Sequence, residues 1–573
     1  MKLVSLTILG LLLSQTASAG EILRLKATGS IKPMASITNQ EAGLYFVQWK
    51  DSITESEKSA VASLGFKLLN YVPDDAFLVQ GDRSMAAAAE QLDFVRVVVA
   101  VDSGMKMEPE LNRQGIFGFQ DIAQVTVQVA PGADLRAIEA ELTGAVNVGD
   151  GLVVGQAAVG ALWKLASRTD VIWLERYLPM RSMEMEMGAL AETAATPTGF
   201  ESGTKIMNAD VAWNAGLIGS GQLVGFADTG LDSGNVNTLM TDFQGQVKSG
   251  FAVGLGGTSW GDPMNHGTHV AGSIAGSGKS SNGGIRGTAF GAKLVAQGMW
   301  SDLMNNIMPP SIPKLFEGAM NEGARIHSNS WGAPNSNGRY DAWASLADTF
   351  VFNNPDFLPV FASGNDGADR NKDGRIDEGS VSSPGSAKNV LTVGASKNLL
   401  LEGGIQRKMM ELRDGANKWG ASPIAESKLS EDPRGLAAFS SRGPTADGRL
   451  KPDVVAPGTN IVSARSKHPK AKPEDSWGIY DDNYLYMGGT SMATPLTAGA
   501  MAIVRQMLIQ KTGATSVSAA LMKATVANTA EDLFPGQFGE RPVGQEQPTR
   551  RPNNHQGWGR VNLATLVNEK NLL

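Results

Sequence analysis

Gly489-Thr490-Ser491-Met492-Ala493-Thr494-Pro495 is the stretch of this 573-residue chain best suited to chemistry. Residues 484–487, just before it, have the aromatic content of a buried strand. Residues 496–510, after it, carry the Ala, Met, Ile, Val and Leu of a buried helix. Ser491 therefore sits at a tight turn from extended chain into helix. Gly488 and Gly489 let the backbone pass closely, and Pro495 is tolerated only in a helix's first turn. The N–H groups of that turn lack internal partners and point at whatever lies in front of the serine. An exposed hydroxyl beside such donors suits an acyl-transfer nucleophile. The same residues also suit a plain serine N-cap on a core helix, so the decision rests on a base and its orienting acid elsewhere.

Both are present. Asp228 ends the apolar run 223–227 and precedes Thr229-Gly230-Leu231-Asp232. A carboxylate at the carboxyl end of a central strand is where an orienting acid belongs, although Asp at such a junction also caps turns. His266 lies in Asn265-His266-Gly267-Thr268-His269-Val270-Ala271-Gly272, at the start of a helix. His266 and His269 stand one turn apart, as metal ligands can, but the motif holds no acidic third ligand. Another cluster reads differently. Asp369, Asn371, Asp373 and Asp377 space oxygen donors at positions one, three, five and nine of a loop, with Arg375 at the seventh and Gly374 at the sixth. That is the order of an EF-hand-type calcium loop. The twelfth position is Ser380, so Glu378 is the candidate substitute for the usual bidentate Glu. The alternative is an acidic surface turn. A structural Ca²⁺ is the one cofactor expected.

The elements that must position these residues alternate in type. Residues 223–227, 293–296, 324–328, 358–362 and 390–393 are apolar strand candidates, with helices at 269–275, 314–321 and 342–352 between them. Such alternation predicts a parallel sheet covered by helices on both faces, with sites at the carboxyl ends of its strands. Residues 399–435 read as a polar surface excursion between core segments. Upstream, the pattern repeats itself. Strands at 44–49, 66–71, 77–80 and 95–101 with helices at 54–64 and 84–92 form one copy. Strands at 125–129, 146–148, 152–154 and 171–175 with helices at 133–142 and 157–167 form another. Each reads β-α-β-β-α-β, the ferredoxin-like order, and neither holds a histidine. Residues from 186 to 204, rich in Ala, Thr and Gly, read as an exposed linker open to proteolysis.

Asp228, His266 and Ser491, each in its own motif and in that chain order, resemble the three catalytic signatures of the subtilisin-like serine peptidases, the subtilases. Asn329-Ser330-Trp331-Gly332-Ala333-Pro334 and Gly557-Trp558-Gly559-Arg560 are most similar to the oxidant-stable alkaline group. The resemblance covers about 205–565. It implies attack by Ser491, proton transfer to His266, orientation by Asp228, and Asn365 as oxyanion donor beside the Ser491 N–H. It also implies that Ser330, Trp331 and Gly332 pair with an extended polypeptide substrate. Together with Ala362, Ser363 and Gly364 they would wall the pocket for a large apolar or Met-like side chain. Asp366, at its mouth, would extend that pocket to Lys or Arg. Subtilase precursors carry a ferredoxin-like pro-segment that aids folding and inhibits, its tail lying in the cleft. Here residues 179–187 would be that tail, with self-cleavage between about 182 and 200. The doubled module departs from the single pro-domain of simple subtilisins and leaves the role of the first copy open.

Composition bounds the rest. The chain has no cysteine, so disulfides and thiolate sites are excluded, and its net charge of −7 offers nothing to nucleic acid. Lys2, the apolar run 3–13 and Ala17-Ser18-Ala19 read as a cleaved export signal. A secreted protein is expected, with periplasm or cell surface as alternatives, without stable membrane insertion, and monomeric. The expected organisation is a signal peptide at 1–19, modules at 20–115 and 116–185, a linker with the processing site at 186–204, and the peptidase domain at 205–573. No appended β-sandwich is expected. The expected activity is a secreted, self-processing serine endopeptidase of broad specificity. Two rivals stand beside it: an inactive, peptidase-like binding scaffold, and an exopeptidase of the same family.

Overall fold

The computed structural model describes residues 23–31, 43–112, 122–187, 190–192 and 196–568. The expected export signal and parts of the expected linker lie outside the described residues. The chain divides into two units, Met1–Tyr177 and Leu178–Leu573.

Within the first unit, the strand Gly43–Trp49 is buried along its whole length. Its two faces serve two different cores. Tyr45, Val47 and Trp49 pack on the helices Glu55–Ser63 and Arg83–Ala89. Leu44 and Phe46 pack with Leu23 and Leu25 of a preceding hairpin, and Ile172 of the second copy lies against the same cluster. Thr54 starts the first helix through a capping box with Glu57. The sheet runs Lys67–Val72, Ala76–Gly81, Gly43–Trp49, Val95–Ala100. The second copy repeats that order with Thr143–Gly149, Leu152–Ala158, Ile122–Val129 and Val171–Arg176. Both are antiparallel and ferredoxin-like. The short Leu23–Leu25/Gly29–Ile31 hairpin is an addition that its few residues did not announce.

The second unit is built on a seven-stranded parallel sheet. Its order is Val247–Ala252, Lys293–Gly298, Leu223–Asp228, Ile326–Asn329, Leu358–Ala362, Leu391–Ser396, Val454–Pro457. The inner strands are buried on both faces because helices cover both, and the polar side chains among them, such as His327 and Gln297, pair with one another. Thr490–Thr512 is a helix buried almost end to end; Pro495 stands sixth in it, inside the helix rather than in its first turn, and the Ser491 carbonyl that has no N–H to accept there takes the Ser330 hydroxyl at 2.9 Å instead. It is the one described helix long and apolar enough to cross a membrane, and its burial in the fold accounts for that composition. The helix His266–Ala275 packs beside it and is buried at every residue.

Residues 399–435 are not the surface excursion that their polarity suggests. Leu400, Ile405, Met409, Leu412, Trp419 and Leu429 all join the main core. The segment has little regular structure, only short turns at Met409–Glu411 and Gly415–Lys418, so no periodicity marks its inward residues. The Trp419 indole is fully buried and donates to the Gly367 carbonyl at 3.0 Å, bracing the loop that carries Asn365. Trp419→Ala is therefore expected to destabilise the second unit by about 3–5 kcal/mol, the range for deleting a buried aromatic. Urea unfolding followed by far-UV circular dichroism checks this. A loss below about 1 kcal/mol would return the segment to the periphery.

Candidate active site

Asp228 is the last residue of its strand, so its carboxylate emerges at the carboxyl edge of the sheet. His266 is the first residue of its helix, entered through Asn265 in the left-handed conformation. Imidazole Nδ1 and Asp228 Oδ1 lie 2.6 Å apart, both residues essentially without solvent exposure. The same Oδ1 accepts the Thr229 N–H at 2.7 Å. Thr229 Oγ1 donates to Asp262 at 2.8 Å and accepts the Gly267 N–H, tying strand end and helix start together. Burial opposes a charge on His266. The Asp228 carboxylate and its hydrogen bond outweigh that, with Glu184 and Asp262 adding, and raise the imidazole to about 9.

Ser491 sits in the first turn of Thr490–Thr512. Its N–H donates to the carbonyl of Met183 at 3.0 Å. Asn365 Nδ2 donates to the same oxygen at 2.7 Å. The Asn365 amide is held in that sense because its Oδ1 accepts both the N–H and the hydroxyl of Thr490, at 2.9 and 3.0 Å. Gly489, at φ +143°, leaves the space free: a Cβ there would stand 2.4 Å from the Met183 oxygen. The site thus encloses one peptide carbonyl with two donors, in the manner of an oxyanion hole. Ser491 Oγ donates to the Ser330 carbonyl at 2.9 Å. His266 Nε2 is buried with no hydrogen-bond partner among the described residues.

The carbonyl belongs to an extended segment of the same unit. Arg181 and Ser182 pair antiparallel with Gly332 and Trp331, and the Met183 N–H donates to Ser330 O at 2.9 Å. Beyond the bond after Met183, the Met185 N–H donates to Gly488 O at 2.8 Å. The Met183 side chain is buried, and its methyl rests on Gly332, where a Cβ would come within 2.9 Å of it. Gly332 thus forms a wall of that pocket. Trp331 lends only its backbone, since its indole packs into the core against Phe361 at 5.5 Å. Ala362 and Ser363 continue the sheet end, with the Ser363 hydroxyl on Ser441 O, and Gly364 is crowded by the Ser382 and Ser441 hydroxyls. Asp366, which burial raises above the usual carboxylate range, accepts the Asn335 N–H at 2.7 Å, so its charge is engaged there. Glu184 follows Met183, and burial pushes its carboxyl up to about 7 against the pull of His266.

His269 and His327 are held in the core. His269 Nε2 meets Ile461 O at 3.0 Å, and His327 lies between Gln297 and Asn329; burial lowers both to about 3. In the acidic loop, Asp369 accepts the N–H groups of Asp373 and Gly374, Asn371 that of Asp373, Asp373 that of Arg375, and Asp377 that of Arg370. Glu378 instead faces Asn554 at 3.3 Å and His555 at 3.5 Å. With the carboxylates turned onto the loop's own N–H groups, no group of three or more His, Cys, Asp or Glu is gathered as around a bound metal among the described residues. Sequence reasoning missed Thr490, Trp477 and Trp419. Only the paired glycines 488 and 489 hinted that something large lay against the nucleophile turn.

Comparison with known proteins agrees with this geometry. Residues 219–559 match the model of the subtilase family, and residues 19–102 match a domain of unknown function, DUF8729. The serine protease/ABC transporter B family protein tagD of Dictyostelium discoideum is 30% identical over 391 residues, covering 56% of this chain and 21% of that protein. The serine protease AprX of Bacillus subtilis is 29% identical over 308 residues, 51% of this chain and 58% of that one. Subtilisin Savinase of Lederbergia lenta is 28% identical over 304 residues, 53% of this chain and 83% of that one. The chain thus spans about a fifth of tagD and somewhat over half of AprX. With the family match covering more than half of its residues and enclosing Asp228, His266, Asn365 and Ser491, this chain belongs to the subtilase family.

Proposed function

We propose that the protein is a serine endopeptidase made as a precursor that cuts its own chain between Met183 and Glu184. The observation that carries this is the Met183 carbonyl, held by Ser491 N–H and Asn365 Nδ2 at 3.0 and 2.7 Å. Ser491 Oγ turns from Ser330 to His266 Nε2, gives up its proton there and bonds to the Met183 carbonyl carbon. The two donors hold the oxyanion. Collapse breaks the bond to the Glu184 nitrogen, which takes the proton from His266 and leaves as an amine. Water, deprotonated by His266, then releases Met183 from Ser491. In this reading the ferredoxin-like modules are a pro-region that inhibits and assists folding. Export rests on Lys2, the apolar run 3–13 and Ala17-Ser18-Ala19. Buried Met180 and Met183 beside exposed Arg181 support selection by unbranched apolar residues at the cut and three residues before it.

Intact mass and N-terminal sequencing test the cut. Wild type should yield a new N-terminus at Glu184, Ser491→Ala should stay whole, and Asn365→Ala should process about a hundredfold or more slowly. A wild-type protein that stays whole at 183–184 would sink the reading.

The charge on His266 sets the pH course. Its proton must be off for it to act as base, and its raised value of about 9 keeps it on at neutral pH. Self-cleavage should therefore speed up as pH rises from about 7 towards 9. Glu184→Gln removes one of the acids that raise His266, so the profile of that variant should shift to lower pH. Coincident profiles would show that Glu184 is not coupled to the triad.

We also propose that the loop from Asp369 to Asp377 binds Ca²⁺ through Asp369, Asn371, Asp373 and Asp377 with the Arg375 carbonyl, Glu378 being taken up by Asn554 and His555. Support comes from donor chemistry: hard oxygen ligands, with Asp373 and Asp377 adding their repulsion to the burial that raises Asp369. At a hundredfold excess of Ca²⁺ over its Kd, stability should rise by about 2.7 kcal/mol in the wild type. Asp373→Ala should abolish the gain. An equal rise in melting temperature in both would place the cation elsewhere.

A further inference from the structure

Past the bond between Met183 and Glu184, the segment continues along a wall that the triad does not use. There the indole of Trp477 donates from Nε1 to the Met185 carbonyl at 2.6 Å. The Met185 N–H, on its other side, donates to Gly488 O at 2.8 Å. Both main-chain groups of the second residue after the bond are thereby engaged, one by backbone and one by a side chain. Neither contact depends on the side chain at that position.

The indole is built in. Trp477 is 2% exposed, and its backbone N–H donates to Tyr486 O at 2.9 Å, within the strand that leads to the nucleophile turn. The edge of its six-membered ring stands against Gly488, where a Cβ would come within 2.0 Å of it. Gly488 is thus glycine because the tryptophan occupies the space of its side chain. The Trp477 carbonyl also accepts the Ala191 N–H at 2.7 Å, farther along the same segment. A donor so fixed loses little freedom when it binds, and a buried indole N–H left without an acceptor is costly.

We propose that Trp477 is a specificity-determining residue of the peptidase, anchoring the carbonyl of the second residue after the cut. The enzyme then favours polypeptides that extend at least two residues beyond the scissile bond. The inference rests on the endopeptidase reading above and adds to it the reason for preferring internal cuts over removal of a terminal residue.

The experiment compares processed wild type with Trp477→Phe, which keeps a ring beside Gly488 and removes only the N–H. Each is assayed on a quenched fluorescent peptide ending Met-Arg-Ser-Met-Glu-Met-Glu-Met and on the p-nitroanilide of its first four residues. The ratio of kcat/KM for peptide over p-nitroanilide should fall about tenfold in the variant, the value of one buried hydrogen bond. A general disturbance of the nucleophile turn would lower both rates and leave the ratio alone, and an unchanged ratio overturns the proposal. The substrate supplies the reciprocal test should the variant fold poorly. A peptide whose second carbonyl after the cut is reduced to methylene should be cleaved about tenfold more slowly by wild type, and equal rates overturn the proposal. Wild type that hydrolyses neither the peptide nor the p-nitroanilide would instead refute the peptidase reading itself, and this inference with it.

Discussion

Two N–H donors on one carbonyl oxygen set the demands that the second unit meets. A backbone N–H at a helix start costs nothing extra to supply, because the first turn leaves it without an internal partner. An amide side chain is different, since it can turn either way. Thr490 removes that freedom by offering Asn365 Oδ1 two donors, which leaves only Nδ2 for the substrate oxygen. Trp419 holds the following loop from behind. Gly489 completes the arrangement by having no side chain where the oxygen must stand. Preorganisation here means that each group has already lost its alternatives before the carbonyl arrives.

The parallel sheet explains how residues so distant in sequence meet. Asp228 ends one strand, Ser330 and Asn365 follow the next two in the sheet, and the Thr490–Thr512 helix brings its first turn to the same edge. A strand rises about 3.3 Å per residue, so a shift of one position would miss hydrogen-bond distance altogether. Burial of the inner strands on both faces fixes their position, since sliding would open cavities among close-packed side chains. The large apolar core thus serves the spacing of three polar groups at its edge.

Much of this was legible in the chain itself. The alternation of apolar strands with helices implied the parallel sheet, and the two β-α-β-β-α-β runs implied their antiparallel order, because both periods are strong over several residues. Asp228, His266 and Ser491 stood out because their three motifs, in that chain order, resemble the subtilase signatures; a strand end, a helix start and a glycine-flanked turn alone also suit turn caps and an N-cap. The features that stayed hidden have a common physical cause. Trp419 and Trp477 act across loops of no fixed period, and an indole N–H finds its acceptor only through the tertiary fold. The inward side chains of 399–435 were hidden likewise, because the segment has almost no regular structure and its apolar residues follow no period. The bond after Met183 could be placed only within a window, since pairing register depends on where Ser330 and Gly332 meet the segment.

That register also divides the segment into two independently held halves once the proposed cut is made. Residues before the bond are held by Ser330, Trp331 and Gly332, and residues after it by Gly488 and Trp477. Breaking the bond separates two sets of hydrogen bonds that no longer assist each other. The half ending at Met183 remains covalently joined to the first unit. The half beginning at Glu184 remains joined to the catalytic unit, at an effective concentration set by a short tether rather than by dilution. Main-chain bonds that gave affinity to one continuous strand then act on two pieces, each of which must offset its own loss of freedom. Occupancy of the first half falls with dilution of the first unit, whereas that of the second is independent of protein concentration. An incoming polypeptide therefore competes with different opponents on the two sides of the nucleophile, and the side that holds Trp477 is the one where the opponent never leaves the molecule.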